Sequence, residues 1–534
     1  MSKLFDRLAE KREITEEFLC PKYDKVPDPF LLPDMEAAVE RILEAVSRDE
    51  RVLIYGDYDV DGVTASTVME EALRLAGVSQ EIEIMLPDRF ADGYGMSPKV
   101  IKKAQEMGAG LVITVDCGSH NKEIVTELAE LGIDTIVTDH HECPEELPVA
   151  VAVVNPKRPD YDGFRDLAGV GVAFMVALAL VQKGAISAGQ EKWLLDLVLI
   201  GTICDAMPLT GVNRILGFYG MKVLGKTRRA GLKELMRTAG VKKLDPEAIG
   251  FQIGPRLNAA GRIESANIAL ELLRAKSGAE AARCANKLEE LNKKRKQEQR
   301  AAVAEVEARG VADEPVIIEV GKWHEGILGI VAGKLTEEYV RPAFALSEVS
   351  EGVLKGSGRS FGEFSLAAAL DYCRSSIISG GGHMGACGVK VETGKLWEFR
   401  EKINEYYRSL KLVNQERFLK EWEDLAVEKV GEFSLEFLEE LKGLEPFGEG
   451  NQEPIFRLSQ VEVMECRRMG AEGQHLSLLI RGADGKTMRL VAFFAPEEWF
   501  GLYPGEQRDI LMRVLENEWN GVRSVEGRIV EIKK

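Results

Sequence analysis

With 534 residues, 45% of them hydrophobic, the chain has the length for about three or four domains, each able to bury its own core. Its 69 basic residues against 87 acidic ones leave a net charge of −18, which excludes polyanion binding over the surface at large and confines any nucleic-acid contact to a local patch. The N-terminal run MSKLFDRLAEKREIT is charged and has no apolar signal region, and the eight cysteines form no C-x-x-C pair, so reduced thiols in a cytoplasmic protein are expected.

Residues 1–50 read as an N-terminal arm that Pro21, Pro27, Pro29 and Pro33 keep extended, with Asp34 expected to cap a helix from Met35 to Val46. The next stretch, RVLIYGDYDVDGVTAST at 51–67, is the one around which the rest of the chain is organised. Val52 to Tyr55 have the composition of a buried strand, Gly56 and Gly62 bracket a turn carrying Asp57, Asp59 and Asp61, and helical spacing starts at Thr64. Carboxylates this close repel one another, so a cation among them or a retained proton is required. An EF-hand is excluded, because the twelfth position from Asp57 is Val68 where a glutamate is needed, and a strand precedes the loop.

A strand near 82–86 and a loop at 90–95, including Tyr94, come next. Three further apolar runs then end in chemistry: 111–115 at Asp116, 135–138 at Asp139, His140 and His141, and 197–200, through Thr202 and Cys204, at Asp205. Each is expected to be a strand, and in an open parallel sheet the ligand crevice lies outside the carboxyl ends of the strands, so the four acidic turns should converge. Oxygen-rich ligands with one or two imidazoles suit Mn²⁺ or Mg²⁺. Asn155 to Arg158 leave another strand, facing the crevice or serving as a surface turn. The longest apolar stretch, Leu167 to Val181, contains glycines, is too short to span a bilayer and reads as a buried helix, so no membrane partner is expected.

From Gly211 to Leu244 the charge inverts, with Arg214, Lys222, Arg228, Arg229 and Lys233 among nine basic residues and Glu234 the single acid. That segment is either a strand-binding surface or a solvated helical face. A helix of about 30 residues, roughly 45 Å long, is expected from Ala279 to Arg309, and Lys293, Lys294, Arg295 and Lys296 at its centre either touch phosphate or, more economically, belong to a charged, exposed linker. Beyond Gly310 strands and helices alternate again, and Gly380 to His383 read as a flexible loop able to cradle phosphate with its backbone N–H groups. Residues 397–445 look helical, and short strands from Pro454 onward suggest a small barrel, where Arg467, Arg468, Arg481, Arg489, Phe493 and Trp499 are available to single-stranded bases, although core packing is the simpler use of the aromatics.

GDYDVDG, VDCG, DHH and GTICDAMPL resemble, in order, the four motifs of the DHH phosphoesterase superfamily. GPRLNAAGR at 254–262, WHEGILGIVAG at 323–333, GSGRS at 356–360, GGGHMGACG at 380–388 and LEPFGEGNQEPIF at 444–456 resemble its RecJ-like family of single-strand-specific exonucleases, over nearly the whole chain. The resemblance implies an α/β architecture: the arm (1–50), a parallel-sheet DHH catalytic domain (51–210), a helical connector with a long linking helix (211–310), a smaller α/β DHHA1 substrate-binding domain (311–405) and an OB-like β-barrel (406–534). It implies metal-dependent 5′→3′ hydrolysis of single-stranded DNA in repair and recombination, by a monomer, with single-strand-binding protein and helicases as further partners.

Within that resemblance, two divalent ions, Mn²⁺ or Mg²⁺, are held by Asp116 as the bridge, by Asp61, His140 and Asp205 on one side and by Asp59 with Asp57 on the other. His141 donates to the scissile phosphate or the leaving oxygen, and Asp139 orients the imidazoles; with Asp116 these form the expected catalytic group. Arg256, Asn258, Arg262, His324, Ser357, Arg359, Gly381, Gly382 and His383 are the expected substrate contacts. The chain departs from many relatives in carrying Tyr55 where they have a histidine. A nano-RNase or cyclic-dinucleotide phosphodiesterase of the same superfamily, and a non-catalytic DNA-binding scaffold, are the other readings.

Overall fold

The computed structural model describes residues 2–93, 95–412, 415, 418 and 422–533; Met1, Tyr94 of the expected 90–95 loop, seven positions of the expected helical region 397–445, and Lys534 lie outside the described residues. The chain divides into two compact units, one of Pro27–Met207 and Gly220–Phe418, the other of Met1–Val26, Pro208–Tyr219 and Leu419–Lys534.

The first unit is built on two sheets. In the first, β1 (Arg51–Tyr55), β2 (Ile82–Met85), β3 (Ala109–Val115), β4 (Asp134–Thr138) and β5 (Ala152–Val154) are all parallel in the order β2-β1-β3-β4-β5. Val52 to Tyr55 and Leu111 to Val115 are buried throughout, as strands covered on both faces require. The Gly169–Gln182 helix is also buried over most of its length, as its apolar run predicts. The apolar run at 197–200 is not a strand. It lies in a helix, Leu195–Cys204, whose first eight residues are all buried, and an all-round apolar helix has no periodicity to distinguish it from a strand. Three acidic turns therefore follow strands, and the fourth acid, Asp205, caps a helix at its C-terminal end.

The second sheet has the order β6-β7-β8-β10-β9, from β6 (Ile317–Gly321), β7 (Ala343–Ser350), β8 (Val353–Arg359), β9 (Ser379–Gly382) and β10 (Ala386–Glu392). The glycine triplet expected as a loop is β9, an edge strand paired antiparallel to β10. Gly381 faces open space there, so small residues extend the sheet with nothing to pack against. Between the sheets runs the 32-residue helix Gly278–Arg309, opened by a capping box in which Ser277 Oγ accepts from Glu280 N and the Glu280 carboxylate accepts from Ser277 N. Asp34 begins the Met35–Ser47 helix but does not cap it with its side chain; its carboxylate accepts instead from Val153 N (3.0 Å) and Arg158 Nη1 (2.6 Å).

In the second unit β12 (Phe456–Met469), β13 (His475–Arg481), β14 (Thr487–Ala492), β16 (Val522–Lys533) and β15 (Gln507–Trp519) close a five-stranded barrel through the β12–β15 pairing, with β11 (Leu425–Val427) added alongside β12. The N-terminal arm starts here: Leu4, Phe5 and Leu8 of the Lys3–Lys11 helix are buried in the barrel's core with Phe437, Phe456 and Leu490. Arg214, expected on a basic surface, is 2% exposed and spends its guanidinium on three carbonyls, those of Phe18 (3.2 Å), Leu444 (2.9 Å) and Gly443 (2.9 Å). Removing that fork strands three acceptors and leaves a void, so Arg214→Ala should cost about 3 kcal/mol, seen as a lower calorimetric melting transition for this unit. An unchanged transition would show that segment 208–219 is not clamped as described.

Candidate metal centre

The loop after β1 is shaped by two glycines that tolerate no side chain. A Cβ at Gly56 would sit 2.1 Å from Ser66 Oγ, and one at Gly62 within 2.5 Å of the Asp57 carbonyl oxygen. The loop turns directly into the Val60–Ala76 helix, which Asp59 caps by accepting from Gly62 N at 3.0 Å. Asp61 is buried, and its two oxygens accept from Gly169 N (2.6 Å) and Val170 N (2.9 Å), the first N–H groups of the buried Gly169–Gln182 helix. A helix N-terminus pointed at a carboxylate favours its ionised form.

Asp116 follows β3 with a left-handed backbone, φ +60°, a conformation that non-glycine residues adopt at a cost. Gly169 lies against it so closely that a Cβ there would be 2.5 Å from Asp116 Cβ. After β4, Asp139 organises its own loop. Oδ2 accepts from Ser119 N (3.0 Å), while Oδ1 accepts from the backbone N–H of His140 (2.8 Å) and His141 (3.2 Å) and from His141 Nδ1 (2.8 Å). Asn155, which the sequence left between crevice and surface, is buried and pins this loop by donating to Ser119 Oγ (3.0 Å) and His141 O (2.9 Å).

These elements bring Asp57, Asp59, Asp61, Asp116, His140, His141 and Asp205 to one place. Three sets of potential ligand atoms lie within 4.8 Å of one another: Asp61–His140–Asp205, Asp57–Asp59–Asp116 and Asp116–His140–His141. His140 Nε2 is 3.1 Å from Asp116 Oδ1, 3.6 Å from Asp205 Oδ2 and 3.7 Å from Asp61 Oδ2. Among the described residues, Oδ1 of Asp57, Oδ1 of Asp116, Nε2 of His140 and Oδ2 of Asp205 are buried without a hydrogen-bond partner. Tyr55 is not among these donors. Its hydroxyl donates to Gly95 O (3.1 Å) and accepts from Ser97 N (3.0 Å), so it anchors the neighbouring loop.

Burial and mutual repulsion hold the Asp57, Asp61, Asp116 and Asp205 carboxyls above the usual carboxylate range. Burial pushes His140 down to about 3, keeping it neutral and able to ligate. For His141 burial acts the same way, but the bond and charge of Asp139 outweigh it and hold the imidazole at about 8. Burial opposes ionisation of Asp139 as well, yet the bond from His141 and the imidazole charges keep it well below an ordinary carboxylate. Orphaned oxygens, a neutral imidazole and excess negative charge form a donor set that fits hard divalent cations, with Asp116 shared between two of the three sets.

Across from the acids stands a group of arginines. Gly261 abuts the GDYDVDG loop, where a Cβ would come within 2.7 Å of Tyr58 O, and this puts Arg262 beside that loop. The Arg262 guanidinium is lowered to about 9 by burial and then by the like charges of Arg89, Arg295 and Arg359. Arg89, whose role the sequence did not reveal, stacks over the Tyr58 ring at 4.0 Å. Arg295 and Asn258 line a small cavity of about 170 Å³ with Arg262 and Cys204. Arg359 donates to Gly358 O (2.9 Å) and has no carboxylate partner among the described residues; Ser357 precedes it by two on β8. His324 accepts from Gly326 N (3.1 Å) and stands edge-on to Phe90 at 5.2 Å. Arg256 is spent elsewhere, on Glu289 (2.6 Å) and Gln252 O (2.7 Å), which ties its helix to the long one. Gly381, Gly382 and His383 lie exposed at the sheet edge.

The profile of the N-terminal domain of the DHH family matches residues 51–202, that of the DHHA1 domain residues 313–409 and that of the RecJ OB domain residues 425–531. Fold and crevice together define a member of the DHH family. The single-stranded-DNA-specific exonuclease RecJ of Bacillus subtilis (strain 168) is 36% identical over 527 residues, and the chain spans 66% of that relative's length, just under two thirds. The RecJ of Haemophilus influenzae is 34% identical over 556 residues, covering 98% of this chain and 95% of that one. RecJ from Thermus thermophilus, solved in complex with Mn²⁺, matches with a TM-score of 0.83 at 28% identity, over 99% of this chain and 75% of that one. The chain belongs to the RecJ family.

A crowded acidic site is stabilised by the cation it holds. The thermal midpoint of the metal-free protein should therefore rise on adding Mn²⁺, by the equivalent of about 2.7 kcal/mol at a hundredfold excess over Kd. Asp116→Asn keeps the shape and removes one repelling charge, so it should lose most of that rise without melting below the metal-free parent. A shift of parental size in Asp116→Asn contradicts the shared-carboxylate geometry.

Proposed function

We propose that the protein is a divalent-metal-dependent exonuclease that hydrolyses single-stranded DNA to nucleotides from the 5′ end. The observation that carries this reading is the pairing, within one unit, of the buried acid–imidazole crevice with an unneutralised arginine group beside it. Family membership supports the substrate, and the 5′→3′ direction is what the resemblance in the motifs implies. Two ions, Mn²⁺ or Mg²⁺, held by Asp57, Asp59, Asp61, Asp116, His140 and Asp205, supply neutralisation of the phosphodiester's charge, a water of lowered pKa and support for in-line displacement.

The chain's own groups do the rest. Asp139 accepts from Nδ1 of His141 and so orients the imidazole that we assign to the scissile phosphate or the leaving oxygen. The third ligand set also puts His141 within reach of an ion, so its donor role is the assignment most open to test by metal titration. Arg262 and Arg359, with Ser357 and Arg89, are the groups we assign to a terminal phosphate, because guanidinium groups without carboxylate partners bind phosphate oxygens in pairs. In the barrel unit, Phe493 and Phe494 are 58% and 78% exposed around His475, and they suit base stacking better than core packing. Trp499 instead packs against the barrel core, and Arg467, Arg468 and Arg481 are each paired with a glutamate. The same reading places a monomer in the cytoplasm, beside single-strand-binding protein and helicases; no helix among the described residues is long and apolar enough to cross a membrane.

Parallel digestion of end-labelled single-stranded DNA, single-stranded RNA and a dinucleotide with Mn²⁺ separates this activity from that of a nano-RNase. The parent should prefer a 5′-phosphorylated strand over a 5′-hydroxyl one and should spare closed circular single-stranded DNA. Arg359→Ala should erase the phosphate preference while Mn²⁺ still raises the melting temperature. Rapid cutting of circles, or an unchanged preference in Arg359→Ala, contradicts the end-recognition role.

A further inference from the structure

A second cavity, about 1100 Å³, opens at the opposite ends of two helices that reach the metal centre. The Val60–Ala76 helix carries Asp61 at the crevice and Arg74 at this cavity, ~20 Å apart at 1.5 Å per residue. The Leu195–Cys204 helix has Asp196 at the cavity and ends beside Asp205. Nothing in the exonuclease reading uses this space.

Its lining is unusual for a protein of charge −18. Five basic side chains face three acidic ones, and the acids are already satisfied: Glu71 and Asp196 bind Arg229, and Glu70 binds Arg274. Among the described residues Arg74 donates to the carbonyls of Val78 (3.0 Å) and Gln80 (2.6 Å) and has no ion-pair partner. Arg228 and Lys276 likewise have no ion-pair partner among the described residues. The Arg228 guanidinium lies 3.5 Å from the centroid of the Trp193 ring, a half-exposed indole on the cavity wall.

Each feature matches one part of a single ligand. A guanidinium stacked on an indole is a flat, polarised platform of the kind that nucleobases stack on. Unpaired cations at a cavity edge take phosphate oxygens, and the volume is at the upper end of that of small-molecule and cofactor sites. We propose that this cavity is a nucleotide-binding site separate from the metal centre, taking the base of a nucleoside phosphate on the Trp193–Arg228 stack and its phosphates on Arg74 and Lys276. The site lies outside the crevice, so the proposal stands or falls independently of the exonuclease reading.

The test is an equilibrium titration of the full chain with N-methylanthraniloyl-ATP in EDTA, where the acidic crevice repels the probe. The parent should bind saturably, and unlabelled ATP should displace the probe. Trp193→Ala and Arg228→Glu should each weaken binding at least tenfold with melting temperatures near that of the parent, and Arg359→Ala should bind as the parent does. Lys276→Glu, at an exposed position, provides an independent variant should Trp193→Ala fold poorly. The proposal is overturned by absence of saturable binding, by parental affinity in the well-folded cavity variants, or by loss of binding in Arg359→Ala alone. It is equally overturned if the cavity variants lose affinity for a short single-stranded oligonucleotide while the probe binds undiminished, since the surface would then belong to a strand path.

Discussion

Repulsion among buried carboxylates is the constraint on which the rest of this structure depends. Asp57, Asp61 and Asp116 are buried within the reach of one or two cations, and Asp205 is close beside them. Left alone, such a group relieves its repulsion by taking up protons or by drifting apart. The fold prevents drift. Asp61 is fixed by two N–H groups of a helix start, Asp139 fixes the histidine loop from within, and Asp116 is pressed by Gly169 in a backbone conformation that would otherwise relax. The cost of assembling the site is thus met by packing, and the ions complete the charge balance.

The parallel sheet explains why these groups can meet at all. β1, β3 and β4 are adjacent, so loops far apart in sequence leave the same edge side by side. The buried Gly169–Gln182 and Leu195–Cys204 helices supply the remaining contacts from behind. Gly261 and Gly326 then allow close approach on the substrate side, since a Cβ at Gly326 would overlap Arg262 O at 1.8 Å. Backbone touching backbone at these two points, rather than side-chain contact, sets the distance between the arginines and the acids.

Much of this was legible in the residues, and the failures share a cause. The turns at Asp57, Asp116 and Asp139 could be read because each follows a short β-branched run and interrupts it with glycine or acid. Asp205 was recognised as a site residue but placed after the wrong element, because Leu195 to Ile200 are apolar on every face. The basic segment after Gly211 was misleading in a different way. Arg214 and Arg229 are positive in the sequence, yet one is bound to carbonyls and the other to Glu71 and Asp196. Composition cannot tell a buried guanidinium from an exposed one. Arg89 went unnoticed because nothing local marks it, and Arg295 was read only as one of a basic run at the centre of the linking helix; the fold brings both to Arg262. Gly169 is similar, since its role is set by Asp116, 53 positions earlier in sequence.

The most direct measurement is anomalous diffraction at the manganese edge from crystals of the protein grown with Mn²⁺. Two peaks about 3.5–4 Å apart are expected, with Asp116 reaching both, one also contacting Asp61, His140 and Asp205 and the other Asp57 and Asp59. A single peak, or two peaks that do not share Asp116, would contradict the two-ion site.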